Sequence, residues 1–266
     1  MATFGLALIF AAALTSPSPS PVPSSPPDPC GESLLATLNR PSVGFATCSV
    51  KPGQNVDELG YQNTVGGVEH LTMYPEGFLR FGAAANLELD LIGPQYGTQA
   101  VPLAHQAGAF DSGFGAKYEF WHDDTRALAA DFLYTLPTGA RTFTAGAPIG
   151  TLNIDYSMPI SSKLGFASTL GAQSNFATAL DGATAGRFFS LLPSALISDQ
   201  WNPRAQVFLE AFGQTRLRPD GGSLFGMDAA MQYLLTPRLE VDVEAGRAVT
   251  PISHVHYIGF GFGTQL

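Results

Sequence analysis

The chain has 266 residues, enough for one large core or one wide closed sheet. Charged residues make up only 13% of it, about half the usual share of a soluble globular domain, while Gly reaches 29 and Phe 19. Lys and Arg total 13 against a net charge of -9, so no basic stripe exists to neutralise phosphates; nucleic acid is excluded as a partner, and a polybasic membrane anchor with it.

Residues 4–14 form an apolar run the size of a signal-peptide h-region and too short to span a bilayer. Ala11, Ala12 and Ala13 give a cleavage context, although no Lys or Arg precedes the run. Residues 1–16 are therefore predicted to be an export signal with a weak n-region. Residues 17–29 are Pro and Ser with little else, the composition of an extended, solvated linker. In an exported protein the isolated pair Cys30 and Cys48 predicts a disulfide rather than a metal site, two free thiols being the alternative. That bridge would pin residues 30–53, which either hang below the next unit as a periplasmic segment or plug it.

From residue 54 onward apolar and polar residues alternate with period two, the mark of half-buried strands. Residues 55–65 set Leu59, Tyr61 and Val65 against Glu58, Gln62 and Thr64. After a segment at 78–82, residues 87–93 set Leu87, Leu89 and Leu91 against Glu88 and Asp90. Residues 114–122 oppose Phe114, Tyr118 and Phe120 to Lys117, Glu119 and Trp121, and residues 127–136 oppose Leu128, Phe132 and Tyr134 to Asp131 and Thr135. Residues 151–158 alternate Leu152, Ile154 and Tyr156 with Asn153, Asp155 and Ser157. Segments at 164–172, 188–198 and 205–214 follow less cleanly. A hairpin over 231–246 turns at Thr236, Pro237 and Arg238, and sets Leu239, Val241 and Val243 against Glu240, Asp242 and Glu244. Residues 254–266 close the chain with Ile258, Phe260, Phe262 and Leu266 on one face.

These make about twelve strands, and their connections alternate in length. Short turns at 82–86, 122–126, 159–163, 202–204 and 236–238 are interleaved with longer connections at 94–112, 137–150, 173–187 and 215–223. A closed antiparallel up-and-down sheet with short periplasmic turns and long extracellular loops is the layout of an outer-membrane barrel. A soluble sandwich would also alternate, but it would carry Lys, Glu and Thr in quantity on its wet faces. Segments of about 9–11 residues also suit tilted membrane strands better than globular ones, which average about 5–6. The expected fold is thus a transmembrane β-barrel in the bacterial outer membrane, with lipid against its apolar face.

The face turned away from lipid would line the lumen. It collects Glu58, Glu88, Asp90, Glu119, Asp131, Asp155, Glu210, Asp228, Glu240, Asp242 and Glu244, with Arg80 and Lys117 as the clearest opposing charges. If these groups meet water, the pore favours cations and neutral solutes over anions. Alternatively they pair with one another and fill a closed barrel, since about twelve strands lies between filled eight-stranded and open sixteen-stranded examples. His254 and His256 share a strand face but have no acidic or Cys partner nearby, so they read as surface histidines and no metal site is assigned. Asp123 and Asp124 read as solvated turn residues. No GxSxG elbow occurs, and no Ser and His recur at matched strand depth, so neither an enzyme nor a cofactor is expected.

Several stretches resemble one family. They are NRPSV (39–43), VKPGQNVDELGY (50–61), GFLRFG (77–82), NLELDLIGP (86–94), SGFGAKYEFW (112–121), DFLYTLPTG (131–139), LLTPRLEVDVEAGRAV (234–249) and HYIGFGFG (256–263). Together they are similar to a family of outer-membrane proteins, often labelled transporters, named for the MetA pathway of phenol degradation. The resemblance covers roughly residues 39–266. It implies an outer-membrane barrel, some of whose relatives handle aromatic compounds, and it supplies no catalytic residue. The last strand likewise resembles the signal by which the barrel-assembly machinery recognises its clients, with Leu266 in place of the usual terminal Phe. The expected function is passive passage of small, hydrophobic or aromatic solutes; the alternative is a filled structural or surface-interaction barrel without transport.

Overall fold

In hydrocarbon every backbone N–H and C=O must find a partner, and a sheet meets that demand only by closing on itself. The computed structural model describes residues 30–31, 33–66, 69–102, 104–177, 185–250 and 254–266; the expected signal peptide and linker lie outside them. Thirteen strands are present among the described residues. They are β1 (Asn55–Gly66), β2 (Glu69–Ala84), β3 (Leu87–Val101), β4 (Ala104–Ala109), β5 (Ser112–His122), β6 (Ala127–Leu136) and β7 (Ile149–Pro159), followed by β8 (Leu164–Ala177), β9 (Gly186–Asn202), β10 (Ala205–Gln214), β11 (Leu224–Thr236), β12 (Leu239–Val249) and β13 (His254–Gln265).

Twelve of them close a ring of antiparallel neighbours. The seam joins first strand to last, from Val56 opposite Gln265 to Gly66 opposite Val255. Leu266 extends it by donating its N–H to the Asn55 carbonyl at 3.0 Å. β4 stands outside the count. It pairs only with the upper part of β3, from Tyr96 to Val101, while β5 takes the lower part, from Leu87 to Ile92.

Residues 94–112, expected to be a loop, are therefore mostly a hairpin extending the wall. Their small and polar side chains, such as Gln95, Thr98, Gln99 and Gln106, satisfy the ladder without building an apolar face, so the sequence shows no period there. β2 is longer than the expected segment at 78–82 for a similar reason, since bulges at Glu76 and its neighbours interrupt its alternation. Trp121 corrects a further expectation. A register shift between Glu119 and Trp121 turns it outward beside Phe120, and both are exposed.

Burial runs inside out relative to a soluble protein. Along β7, Leu152 is 50% and Ile154 42% exposed, while Asn153 and Asp155 between and beyond them are 2% and 0%. Phe132, Leu170, Leu209 and Phe260 continue the exposed apolar band around the barrel. A sheet that exposes Leu and buries Asp along one strand has its greasy side in lipid. Ile154→Arg, at mid-strand, is expected to destabilise the barrel by about 2–4 kcal/mol in a bilayer. Urea unfolding in liposomes checks this, and an unchanged midpoint would place Ile154 outside the hydrocarbon.

The connections β2–β3, β5–β6, β7–β8, β9–β10 and β11–β12 are short, and both ends of the ring lie on their side. In the β5–β6 turn, Asp123 accepts from the Arg126 guanidinium and from the N–H groups of Thr125 and Arg126. These bonds, the Arg126 side chain foremost, hold its carboxyl below the usual range.

Candidate functional site

The wall supplies the site's charges and the segment before β1 supplies what meets them. Arg80 on β2 is wholly buried and reaches three partners. Its Nε and Nη2 donate to the two oxygens of Glu88 on β3 at 2.7 and 3.0 Å, a bidentate pair. Its Nη1 donates to Glu58 on β1 at 2.8 Å and to the Thr37 carbonyl. Lys117 on β5 lies 3.9 Å from Glu88 and donates to Asn39 Oδ1 at 3.4 Å. Glu58, Arg80, Glu88 and Lys117 thus form one cluster across four neighbouring strands.

The remaining inward carboxylates are distributed around the ring. Asp90 lies opposite Arg80 in the ladder, and Asp131 opposite Lys117. Asp131 accepts from Asn153 at 3.4 Å, and Asp155 from Thr169 Oγ1 at 2.7 Å. Glu119 sits 2.8 Å from His122 Nδ1 near the turn. Tyr257 donates to Asp228 at 2.7 Å. Glu240, Asp242 and Glu244 line the inner side of β12, all buried. Carboxyl groups outnumber cationic side chains on this surface.

Residues 39–45 cross this interior as a strap. At one anchor Glu58 accepts the N–H groups of Asn39 at 3.1 Å and Arg40 at 2.7 Å. At the other, on β10, Glu210 accepts Ser42 Oγ at 3.0 Å and the N–H groups of Val43 and Gly44 at 2.8 Å each. Between the anchors Gln232 Nε2 donates to the Arg40 carbonyl at 2.6 Å. The Arg40 guanidinium bridges Glu76 at 2.9 Å and Asp242 at 3.3 Å. Beyond them Phe45 N–H donates to Thr169 at 3.0 Å, and Val50 N–H to Glu88 at 2.6 Å.

The strap fits because the wall is notched for it. A Cβ at Gly60 would lie 2.1 Å from Arg40 Nη1, one at Gly261 2.5 Å from Arg40 Nε, and one at Gly263 2.3 Å from Leu38 Cδ2. Those glycines let the backbone of β1 and β13 come close to the strap. Toward the short turns, Leu34, Leu35, Leu38 and Val50 pack on Val56 and Leu234 of the wall, an apolar foot under the charged interior. A disulfide joins Cys30 to Cys48, which pack with Ala36 against Ala127 at the start of β6.

Two cavities flank the strap. One of about 400 Å³ opens among the short turns and runs between residues 35–48 and the wall from β7 to β11. Another of about 320 Å³ lies on the loop side, lined by Glu58, Gln62, Glu76 and Glu244. Arg40, Ser42 and Phe45 line both. The Phe45 ring meets Phe78 edge-on, centroids 6.3 Å apart, and Lys117 Nζ lies 5.8 Å from its centre.

The sequence model of the family described as "Putative MetA-pathway of phenol degradation" matches residues 39–263, from the strap to the last strand. The chain belongs to that family. No curated protein matches it. Among solved structures, an outer membrane channel from Pseudomonas putida F1 is 14% identical, with a TM-score of 0.63 over 82% of this chain and 97% of that one. The NanC porin is 10% identical, with a TM-score of 0.53 over 77% and 98%. The translocator domain of the autotransporter NalP from Neisseria meningitidis is 14% identical, with a TM-score of 0.51 over 81% and 89%. At such identities the likeness establishes the fold, and with it an outer-membrane barrel standing in lipid.

Sequence reasoning missed Arg40, Ser42 and Phe45 of the strap, and Glu76, Thr169, Gln232 and Tyr257 of the wall. The strap has no period to read, and three of the wall partners are neutral. One signal was present in the last strand. GFGFG puts Phe260 and Phe262 outside and Gly259, Gly261 and Gly263 inside, which marks a close neighbour on the inner face.

Proposed function

We propose that this family member is a passive outer-membrane channel for small neutral or cationic solutes with an apolar body, aromatic compounds among them, and that the strap is its gate. The observation that carries the reading is the pair of cavities meeting at Arg40, Ser42 and Phe45. They lie on opposite sides of the strap, and Arg40, Ser42 and Phe45 line both. The loop-side cavity presents carboxylates, which draw cations and repel anions. The turn-side cavity adds Leu35, Phe45, Phe166, Leu196 and Phe208, an apolar surface for a solute body. The family description supports an aromatic solute, and the channels of like fold support passage. Export through residues 1–16, recognition of β13 by the barrel-assembly machinery and the absence of catalysis belong to the same reading.

Planar bilayers test it. The wild type is expected to give small, cation-preferring steps, and Phe45→Ala steps several-fold larger, because removing the ring joins the cavities while the strap's anchors stay. Silence from both proteins across many insertions would support a filled structural barrel instead. Conductance without preference between ions would remove the carboxylates from the path.

A further inference from the structure

β12 and β13 bring three outward-facing nitrogen-bearing side chains together at the end remote from the short turns. Arg247 is the direct ladder partner of His256, and Val249 that of His254. The Arg247 guanidinium donates from Nη2 to His254 Nδ1 at 3.0 Å. All three residues are exposed, on the same side of their strands as Val243, Ile258 and Phe260. On the next strand Val65 faces His256, and beyond it the exposed His70 faces Val65. One ladder step toward the hydrocarbon, Asn63 Nδ2 donates to Thr72 Oγ1 at 2.9 Å. The outer face thus turns from apolar to polar over a few residues, as it does where hydrocarbon gives way to headgroups.

A guanidinium on a lipid-facing wall is costly at mid-depth and tolerated at that boundary. Arg247 has Met227 and His256 as ladder neighbours, and its hydrogen-bond partner among the described residues is His254; none is acidic. Glu69, next to His70, falls on the opposite side of its strand by alternation. Arg247 can only donate, so His254 Nδ1 accepts, which in a neutral imidazole leaves Nε2 as the donor. The result is a planar fork of donors with a fixed positive charge beside two imidazoles, on a protein whose net charge is -9.

We propose that Arg247, His254 and His256 bind the phosphate group of a phosphorylated glycolipid in the outer leaflet. Guanidinium and phosphate match in charge and in bidentate geometry. A lipid fits better than free phosphate, because the patch faces the bilayer and acyl chains can lie on Val243, Ile258 and Phe260 beneath it.

The full chain in phosphatidylcholine nanodiscs doped with lipid A, or with its dephosphorylated form, tests this by native mass spectrometry. The wild type is expected to retain lipid A, and Arg247→Gln to retain about tenfold less or lower, the loss of a charge-assisted bond. His256→Ala and Arg247→Lys should fall between them, and they carry the comparison if Arg247→Gln does not show the heat-modifiable gel shift of a folded barrel. Equal retention by wild type and variants overturns the proposal. So does equal retention of the dephosphorylated glycolipid, or displacement of lipid A by millimolar inorganic phosphate.

Discussion

Arg80→Met is expected to lower the stability of the barrel by about 3–5 kcal/mol, the usual cost of removing one partner from a buried ion pair. Arg80 is the hub where three strands meet the segment that leads into the strap, bonded to Glu88 at 2.7 and 3.0 Å, to Glu58 at 2.8 Å and to the Thr37 carbonyl. Without it both carboxylates stay buried, with Lys117 no nearer to Glu88 than 3.9 Å. They would keep their backbone donors from Asn39, Arg40 and Val50, which soften the loss but carry no full charge. Replacing all three members, Arg80→Met with Glu58→Gln and Glu88→Gln, should recover much of the stability, because no buried charge is then left over. Urea midpoints in liposomes, read with the mobility of boiled and unboiled samples, measure both. A single variant as stable as the wild type would mean that water reaches Glu58 and Glu88.

The outer face of the fold was legible because lipid enforces alternation wherever it touches the chain. On β7 and β12 it tolerates no exchange of Leu152 for Asn153 or of Val243 for Glu244. Away from lipid the rule lapses. Residues 94–112 and the start of β2 are strands that the pattern did not show, and a one-residue bulge sufficed to turn Trp121 to the other side. The interior was legible residue by residue but not as an arrangement. Alternation assigns Glu58, Arg80, Glu88 and Lys117 to the inward face; it does not say that they cluster, since that depends on register between strands. Nor does it show that Glu210 serves the strap and Asp155 a threonine. The partners of Glu210 come from residues 39–45, whose backbone N–H groups do most of the bonding, and a backbone N–H leaves no trace in the identity of its residue.

Unseating the strap is expected to open the lumen, and the Arg40 bridges and the Glu210 anchor show how. Gly60→Leu places side-chain atoms where the Arg40 guanidinium lies, with no backbone atom among the nearest three it would meet. Arg40 must then leave Glu76 and Asp242. Glu210→Gln keeps the shape of the second anchor but weakens the charge-assisted bonds from Ser42, Val43 and Gly44. Losing about 1.5 kcal/mol at the Arg40 bridges and as much at the Glu210 anchor would raise the ratio of released to seated strap by roughly a hundredfold. Either change alone should do less than half of this, because a strap freed at one end is still held across the lumen by the other. The Cys30–Cys48 bridge ties together the residues that precede and follow the strap, so a released strap would stay tethered and leave the barrel wall intact. Single-channel recordings of Gly60→Leu with Glu210→Gln should therefore show long openings, larger than those of Phe45→Ala and still cation-preferring. If the double variant conducts no more than the wild type while it folds normally, the barrier lies elsewhere in the barrel, and the strap is packing rather than a gate.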